Sequence, residues 1–184
     1  NASVNVDAPA PTNAFDAVLK TPRDLLLFDS QATAFRRVKV RGQIVYADET
    51  KLFLETDGAG LRILPSEKDD IRVGDVVEAV GYPDISRTAL LLRDAIIRKT
   101  GAAALPAPKI LTKTDWTQDY LDATRVRVDG RLLGWHLEQG AMVLEMQSGQ
   151  YLYLARLSHA AATLYSLRAG SQLELTGVYS GRGR

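Results

Sequence analysis

The chain has no cysteine and only two histidines, His136 and His159. The first absence excludes disulfides and thiolate metal sites, and it fits any redox compartment. The second leaves little for a metal centre, which needs several histidine or carboxylate ligands converging on one point. An excess of charge of one sign is missing too. The formal net charge is +1 over 184 residues, so no strong field recruits nucleic acid or an acidic membrane. No apolar run approaches the roughly 20 residues that span a bilayer, and no signal peptide opens the sequence. There is no initiator methionine, and Asn1-Ala2 reads as the scar of a cleaved tag. A processed or excised chain is therefore expected, with the natural protein continuing at both ends.

What remains is ordinary globular material, 46% hydrophobic and 24% charged. The length suits one large domain or two small ones. A repeat decides between them. Arg37-Val38-Lys39-Val40-Arg41-Gly42 returns as Arg125-Val126-Arg127-Val128-Asp129-Gly130. Ile44 and Val45 return as Leu132 and Leu133. "KLFLET" from Lys51 then matches "AMVLEM" from Ala141, and "LRIL" from Leu61 matches "YLYL" from Tyr151. Last, "IRVGDVVEAVGY" from Ile71 matches "LRAGSQLELTGV" from Leu167. Four matches in one order read as a tandem duplication.

Each copy reads as short strands. Val38, Val40 and Ile44 alternate with Arg37, Lys39 and Arg41, the period of a half-buried strand. Leu52 and Leu54 are expected to face one way and Phe53 and Glu55 the other; Val77 and Ala79 point in and Glu78 out. Leu173, Leu175 and Glu174 repeat that last pattern. Gly42 and Gly130 fall inside the first strand of each copy, where a glycine marks a bulge or bend. A long bent strand that joins two sheet halves is what a small closed five-stranded barrel needs. Ser66 is a candidate helix cap after the third strand, and Ser158 caps an alanine-rich helix in the second copy, with Gly170 at its end. "ALLLRDAIIRK" from Ala89 is the fifth strand of the first copy. The second copy has no counterpart, and "ALPAPKILTK" is a candidate to fill the gap. Thr21, Pro22 and Asp24 start a short helix, and "GAAALPAPK" reads as a linker.

The strand pattern resembles the OB-fold. The stretches Val38 to Gly42, Leu52 to Asp57 and Gly74 to Gly81 are similar to tandem OB-like modules in the sensor regions of some bacterial membrane histidine kinases. The likeness covers Arg36 to Arg98, and more loosely Thr124 to Tyr179, where Ser171 replaces the usual aspartate. It implies an all-β fold with short helices: two tandem five-stranded OB-like barrels, the second without an obvious fifth strand. The expected plan is an arm and short helix over 1–30, a first module over 31–101, a linker and lead-in over 102–121 and a second module over 122–184. The resemblance also implies a periplasmic or extracellular location and a membrane anchor outside this chain. By the same likeness the region senses a small molecule or protein for two-component signalling. Kinase motifs are absent from the chain, and fold likeness alone does not settle function.

Chemistry is sparse. No serine has the glycine-flanked setting of a nucleophile elbow. "DGAGLR" from Asp57 is too short to cradle a phosphate and reads as a hairpin turn. Asp69-Asp70 belongs to a polar turn, and His159 opens the alanine-rich helix. The expectation is no enzyme activity, no cofactor and no metal. The stripe Arg37, Lys39, Arg41 could meet phosphates, but Glu78 on the neighbouring strand offers a solvated pairing and Asp129 breaks the stripe in the second copy. Tyr151 and Tyr153 align with Leu61 and Ile63 and so read as core, which leaves Tyr46, Phe53 and Trp135 as exposed aromatics. If a ligand site exists, the candidates are Tyr46, Phe53, Arg62, Trp135, His136 and Arg156. The rival function is single-stranded nucleic-acid binding, for which the signal is weak. An unpaired edge at the missing fifth strand favours association into a homodimer.

Overall fold

The computed structural model describes residue 5 and residues 12–27, 36–67, 70–86, 89–112, 115–117, 121–157 and 166–181. The chain forms two compact units. The first is Asn1–Pro106 with Asp119–Thr124 and Val178–Arg184; the second is Ala107–Gln118 with Arg125–Gly177. The first unit thus takes in the N-terminal helix and two short stretches that lie outside the expected 31–101 module.

In the first unit, β1 (Val38–Ala47), β2 (Leu52–Thr56), β3 (Ala59–Pro65), β4 (Asp75–Ser86) and β5 (Ala89–Ala102) close a barrel in the order β1-β2-β3-β5-β4. β5 runs parallel to β3 and antiparallel to β4. Alternation does the folding work. Val38, Val40, Ile44, Leu52, Leu54, Leu61, Ile63, Val77, Ala79, Leu90 and Leu92 all point into one core. The β2–β3 hairpin turns on Asp57 and Gly58, with φ of 51° and 70°. Positive φ at both central residues matches the right-handed twist of the flanking strands. Below the barrel, α1 (Pro22–Leu27) delivers Leu25 to the same core. Its start is a reciprocal cap: Asp24 N–H donates to Thr21 Oγ1 at 3.1 Å, and Thr21 N–H donates to Asp24 Oδ2 at 2.9 Å.

β1 serves two neighbours. Val38 to Gln43 pair with β4, and Gln43 to Ala47 pair with β2. At the crossover Gly42 lies so close to β2 that a Cβ there would stand 2.5 Å from Leu54 Cδ2 and 2.7 Å from the Glu55 carbonyl oxygen. The glycine therefore marks a close approach. The bulge lies further on, between Ile44 and Tyr46. Val45 faces away from Ile44 by ordinary alternation, and the extra residue puts Tyr46 on that same outer side.

The second unit repeats these devices. β7 (Arg125–Glu138), β8 (Ala141–Ser148), β9 (Tyr151–Leu157) and β10 (Gln172–Val178) form a sheet in the order β10-β7-β8-β9. β7 shifts register between Leu132 and Gly134, matching the bulge in β1. Gly170 N–H donates to the Leu132 oxygen at 2.7 Å as Gly74 N–H does to the Ile44 oxygen at 2.8 Å. The short β6 (Lys109–Ile110) pairs in parallel with Val126 and Arg127. Leu19 pairs in the same way with Lys39 in the first unit. After β6, Thr112 and Asp115 repeat the Thr21–Asp24 motif, with Thr112 N–H donating to Asp115 Oδ2 at 2.7 Å. The matching pattern therefore begins before the strands in which the sequence shows it.

Three expectations change. The segment around Lys109 does not fill the place of a fifth strand; it pairs with β7, and no described strand lies between β9 and β10. Ser66 caps no helix among the described residues. Its N–H and Oγ both donate to the Ala95 oxygen, tying β3 to β5. The alignment of the hairpins slips by two residues. Ile44 pairs with Leu54 and Leu132 with Met146, so Leu54 corresponds to Met146 and Leu61 to Tyr153. The in-and-out assignment survives because a strand has period two. Ser158, His159 and the alanine-rich helix lie outside the described residues.

Gly42→Ala is expected to destabilise the first unit by about 1–3 kcal/mol, because the added methyl meets β2 backbone that cannot retreat. Urea unfolding of the variant checks this. An unchanged midpoint would mean that β1 and β2 part more easily than their spacing indicates.

Candidate functional site

Tyr46, Phe53 and Arg62 come together on the outer face of the first barrel. β1, β2 and β3 carry them side by side: Tyr46 pairs with Phe53 and Phe53 with Arg62. The Tyr46 and Phe53 rings lie 5.0 Å apart, and the Arg62 guanidinium stands 5.4 Å from the Phe53 centroid. The cluster is covered, however. Phe53 is only 4% exposed and joins Val45 and Ala123 in a second small core, with Tyr46, Leu105 and Val178 packed around it. The expectation of an exposed Phe53 is corrected, since segments distant in sequence fold over it.

Arg62 is the anchor of that cover. Its Nε donates to Asp122 Oδ2 at 2.8 Å and its Nη2 reaches Asp122 Oδ1, Ser180 Oγ and the Gly181 oxygen. Asp122 Oδ1 also accepts from Gly181 N–H at 2.9 Å. Beneath it, a Cβ on Gly60 would collide with the Asp122 oxygen and the Ala123 carbonyl. A bidentate pair of this kind fixes direction as well as charge. The donors that a ligand would need at Arg62 Nε and Nη2 are thus already engaged. Nothing in the sequence around Asp122 singles it out; its partner is 60 residues away.

The other three candidates lie in the second unit and do not form one cluster. Trp135 packs against the core of Leu132, Met142, Leu144 and Met146, and its Nε1 donates to the Leu167 oxygen at 3.3 Å. It is half-buried against that core rather than a free exposed platform. His136 Nδ1 stands 3.4 Å from Glu145 Oε1. Arg156 Nη1 donates to Glu138 Oε2 at 2.7 Å. Both side chains flank Val143, which pairs with each of them across the sheet.

The sequence reading missed a pair of clefts. In the first unit a cleft of about 410 Å³ lies over the β1 glycine, with Arg41, Gly42, Gln43, Glu55, Thr56, Asp57 and Val76 on its walls and Lys20 and Thr21 at one end. In the second unit a cleft of about 360 Å³ is lined by Asp129, Gly130, Arg131, Gln147, Ser148, Gly149 and Gln172. These are the same positions once the registers are matched. The place is set by geometry: the first strand parts there from its hairpin partner. The chemistry differs, with Arg41 and Glu55 in one cleft and Asp129 and Gln147 in the other. A matched signal was present in the sequence as the two strand glycines, although their cleft was not.

The basic stripe is largely in use. Lys39 Nζ donates to the Phe15 oxygen at 2.8 Å, and the Arg37 guanidinium lies 5.2 Å over the Tyr82 ring. Glu78 takes its ion pair from β5, with Arg98 Nη2 at 2.6 Å, and that bond holds its carboxyl below the ordinary carboxylate range. Asp75 is held low by Lys99, at 2.7 Å, and by the Arg72 N–H. These two pairs contribute fully above the usual carboxylate range and lose their contribution as the pH falls through it. In the second unit, Tyr153 Oη is buried without a described hydrogen-bond partner. Burial, and then the charge of Asp129, push its hydroxyl up to about 12.

Among the described residues no group of three or more histidine, aspartate or glutamate side chains could hold a metal ion. No helix among them is long and apolar enough to cross a membrane. No family model and no curated protein matches the chain.

Two substitutions test these assignments. Asp122→Ala removes both bonds to Arg62 and the Gly181 anchor, and is expected to cost about 3 kcal/mol in chemical unfolding. A loss near zero would make the pair ornamental. Tyr153→Phe removes an unpartnered hydroxyl and is expected to raise stability by about 1 kcal/mol at neutral pH. The unfolded chain ionises Tyr153 near its ordinary value, before the folded chain does, so the wild type weakens as the pH rises above that value and the advantage of the variant widens. Unfolding midpoints at neutral and alkaline pH measure both effects.

Proposed function

We propose that the chain is a tandem of OB-like modules that binds a ligand or partner without catalysing a reaction. We read it as the extracytoplasmic sensing region of a bacterial signalling receptor of the histidine kinase type. The OB-like reading is supported by the barrel order β1-β2-β3-β5-β4 and by the recurrence of its bulge, glycine and lead-in pairing in the second unit. The sensor assignment rests on the resemblance of the strand motifs alone. The observation that carries the binding reading is the recurrence of one cleft over Gly42 and over Gly130. Two clefts of common position and different lining suit recognition of two chemical groups better than shared catalysis. The rival, single-stranded nucleic-acid binding, draws less support, because Phe53 and Trp135 face cores and Lys39 is bound to Phe15.

A thermal-shift screen of periplasmic small molecules, metal ions and a short oligonucleotide tests this. A ligand at a hundred times its dissociation constant adds about 2.7 kcal/mol. A small-molecule hit weakened by Arg41→Ala or Arg131→Ala is the expected result. A hit by the oligonucleotide, with affinity falling steeply with salt, would replace this reading with its rival. A full-length gene with no membrane helix beside this region would sink the receptor assignment.

A further inference from the structure

Among the described residues, the second unit has the walls of the first but not the strand that closes it. In the first unit β5 stands between β3 and β4, and Leu61, Ile63, Val77 and Ala79 are fully buried. Their counterparts Tyr153, Ala155, Leu173 and Leu175 are only partly buried, beside the core of the second unit. Tyr153 Oη is buried beside that core without a described hydrogen-bond partner. The exposed edge is also unguarded. β9 reads Tyr-Leu-Tyr-Leu-Ala-Arg-Leu, with no proline or bulge, and its one charge, Arg156, is paired with Glu138. Its outer face shows Leu152 at 70% and Leu154 at 51% exposure. The described residues after β10 add no further strand. Tyr179 N–H donates to the Thr124 oxygen and Gly181 N–H to Asp122.

Charge specifies the missing piece. Glu78 of β4 takes Arg98 of β5, its register partner. Glu174 occupies the same place on β10; its side chain is 58% exposed, with Arg127 at a loose 3.5 Å. Asp75, which takes Lys99 of β5, is replaced by Ser171. We propose that a β-strand of a partner polypeptide inserts between β9 and β10, parallel to β9 and antiparallel to β10. Its alternate residues are apolar and face Tyr153, Ala155, Leu173 and Leu175, and it carries one basic residue opposite Glu174. Main-chain bonds supply affinity in such strand addition and the alternate side chains supply specificity. The inference rests on the matched geometry of the two sheets and not on the sensor assignment.

The probe is a synthetic peptide with the sequence of Ala89–Ala102, the strand that fills this place in the first unit. Titrated into the full chain, it is expected to bind saturably and to slow amide exchange within 151–157 and 172–178. Glu174→Lys, an exposed change, is expected to weaken it about tenfold. Ala155→Lys, which puts a charge on the inner wall, is expected to abolish binding, and a cooperative unfolding transition of the variant shows that it still folds. The proposal fails if the peptide does not bind, if a scrambled peptide binds equally, or if protection falls elsewhere. It also fails if the chain alone is a dimer with β9 and β10 already protected, since the occupant would then be a second copy.

Discussion

The first barrel closes through one strand that pairs with a different neighbour at each end. That strand is β1, and Gln43 is the residue at which the two pairings overlap. Two local features make the split feasible. Gly42 lets β2 approach where any side chain would collide, and the extra residue at the bulge swings the second half of the strand. The rest follows from that strand. Its free edge before the split accepts the lead-in segment at Leu19, and the opening left between lead-in and hairpin is the cleft. β7 repeats the arrangement with Gly130, the bulge after Leu132 and β6.

The two sheets differ in how they end. Closure by β5 removes the edges of the first sheet and buries its wall residues. The charged groups follow the same logic, for Asp75 and Glu78 both find their partners on β5. In the second unit Ser171 and Glu174 stand at those positions, and Tyr153 Oη has no described hydrogen-bond partner. A sheet built this way gains from receiving a strand, whereas a closed barrel does not.

Much of this was legible in the alternation of side chains. Leu52 and Leu54 against Phe53, and Val77 and Ala79 against Glu78, read correctly because a strand has period two. Even the misaligned hairpin kept its faces, since it slipped by an even number of residues. The turn at Asp57-Gly58 was equally readable, because it needs positive φ at two adjacent positions. The Thr21–Asp24 and Thr112–Asp115 pairs could have extended the repeat upstream, but two short polar motifs are faint beside a valine strand.

The sequence by itself determined which residues face inward, where the first strand carries its glycine, and that the pattern is written twice. These are local properties, set by periodicity and by the sterics of one or two residues. Only the tertiary structure decided that Phe53 is buried, that Arg62 is held by Asp122, and that β6 pairs with β7 instead of filling the gap beside β10. Each of these depends on contacts between segments far apart along the chain. An outward-facing side chain looks the same in sequence whether water or another stretch of polypeptide covers it.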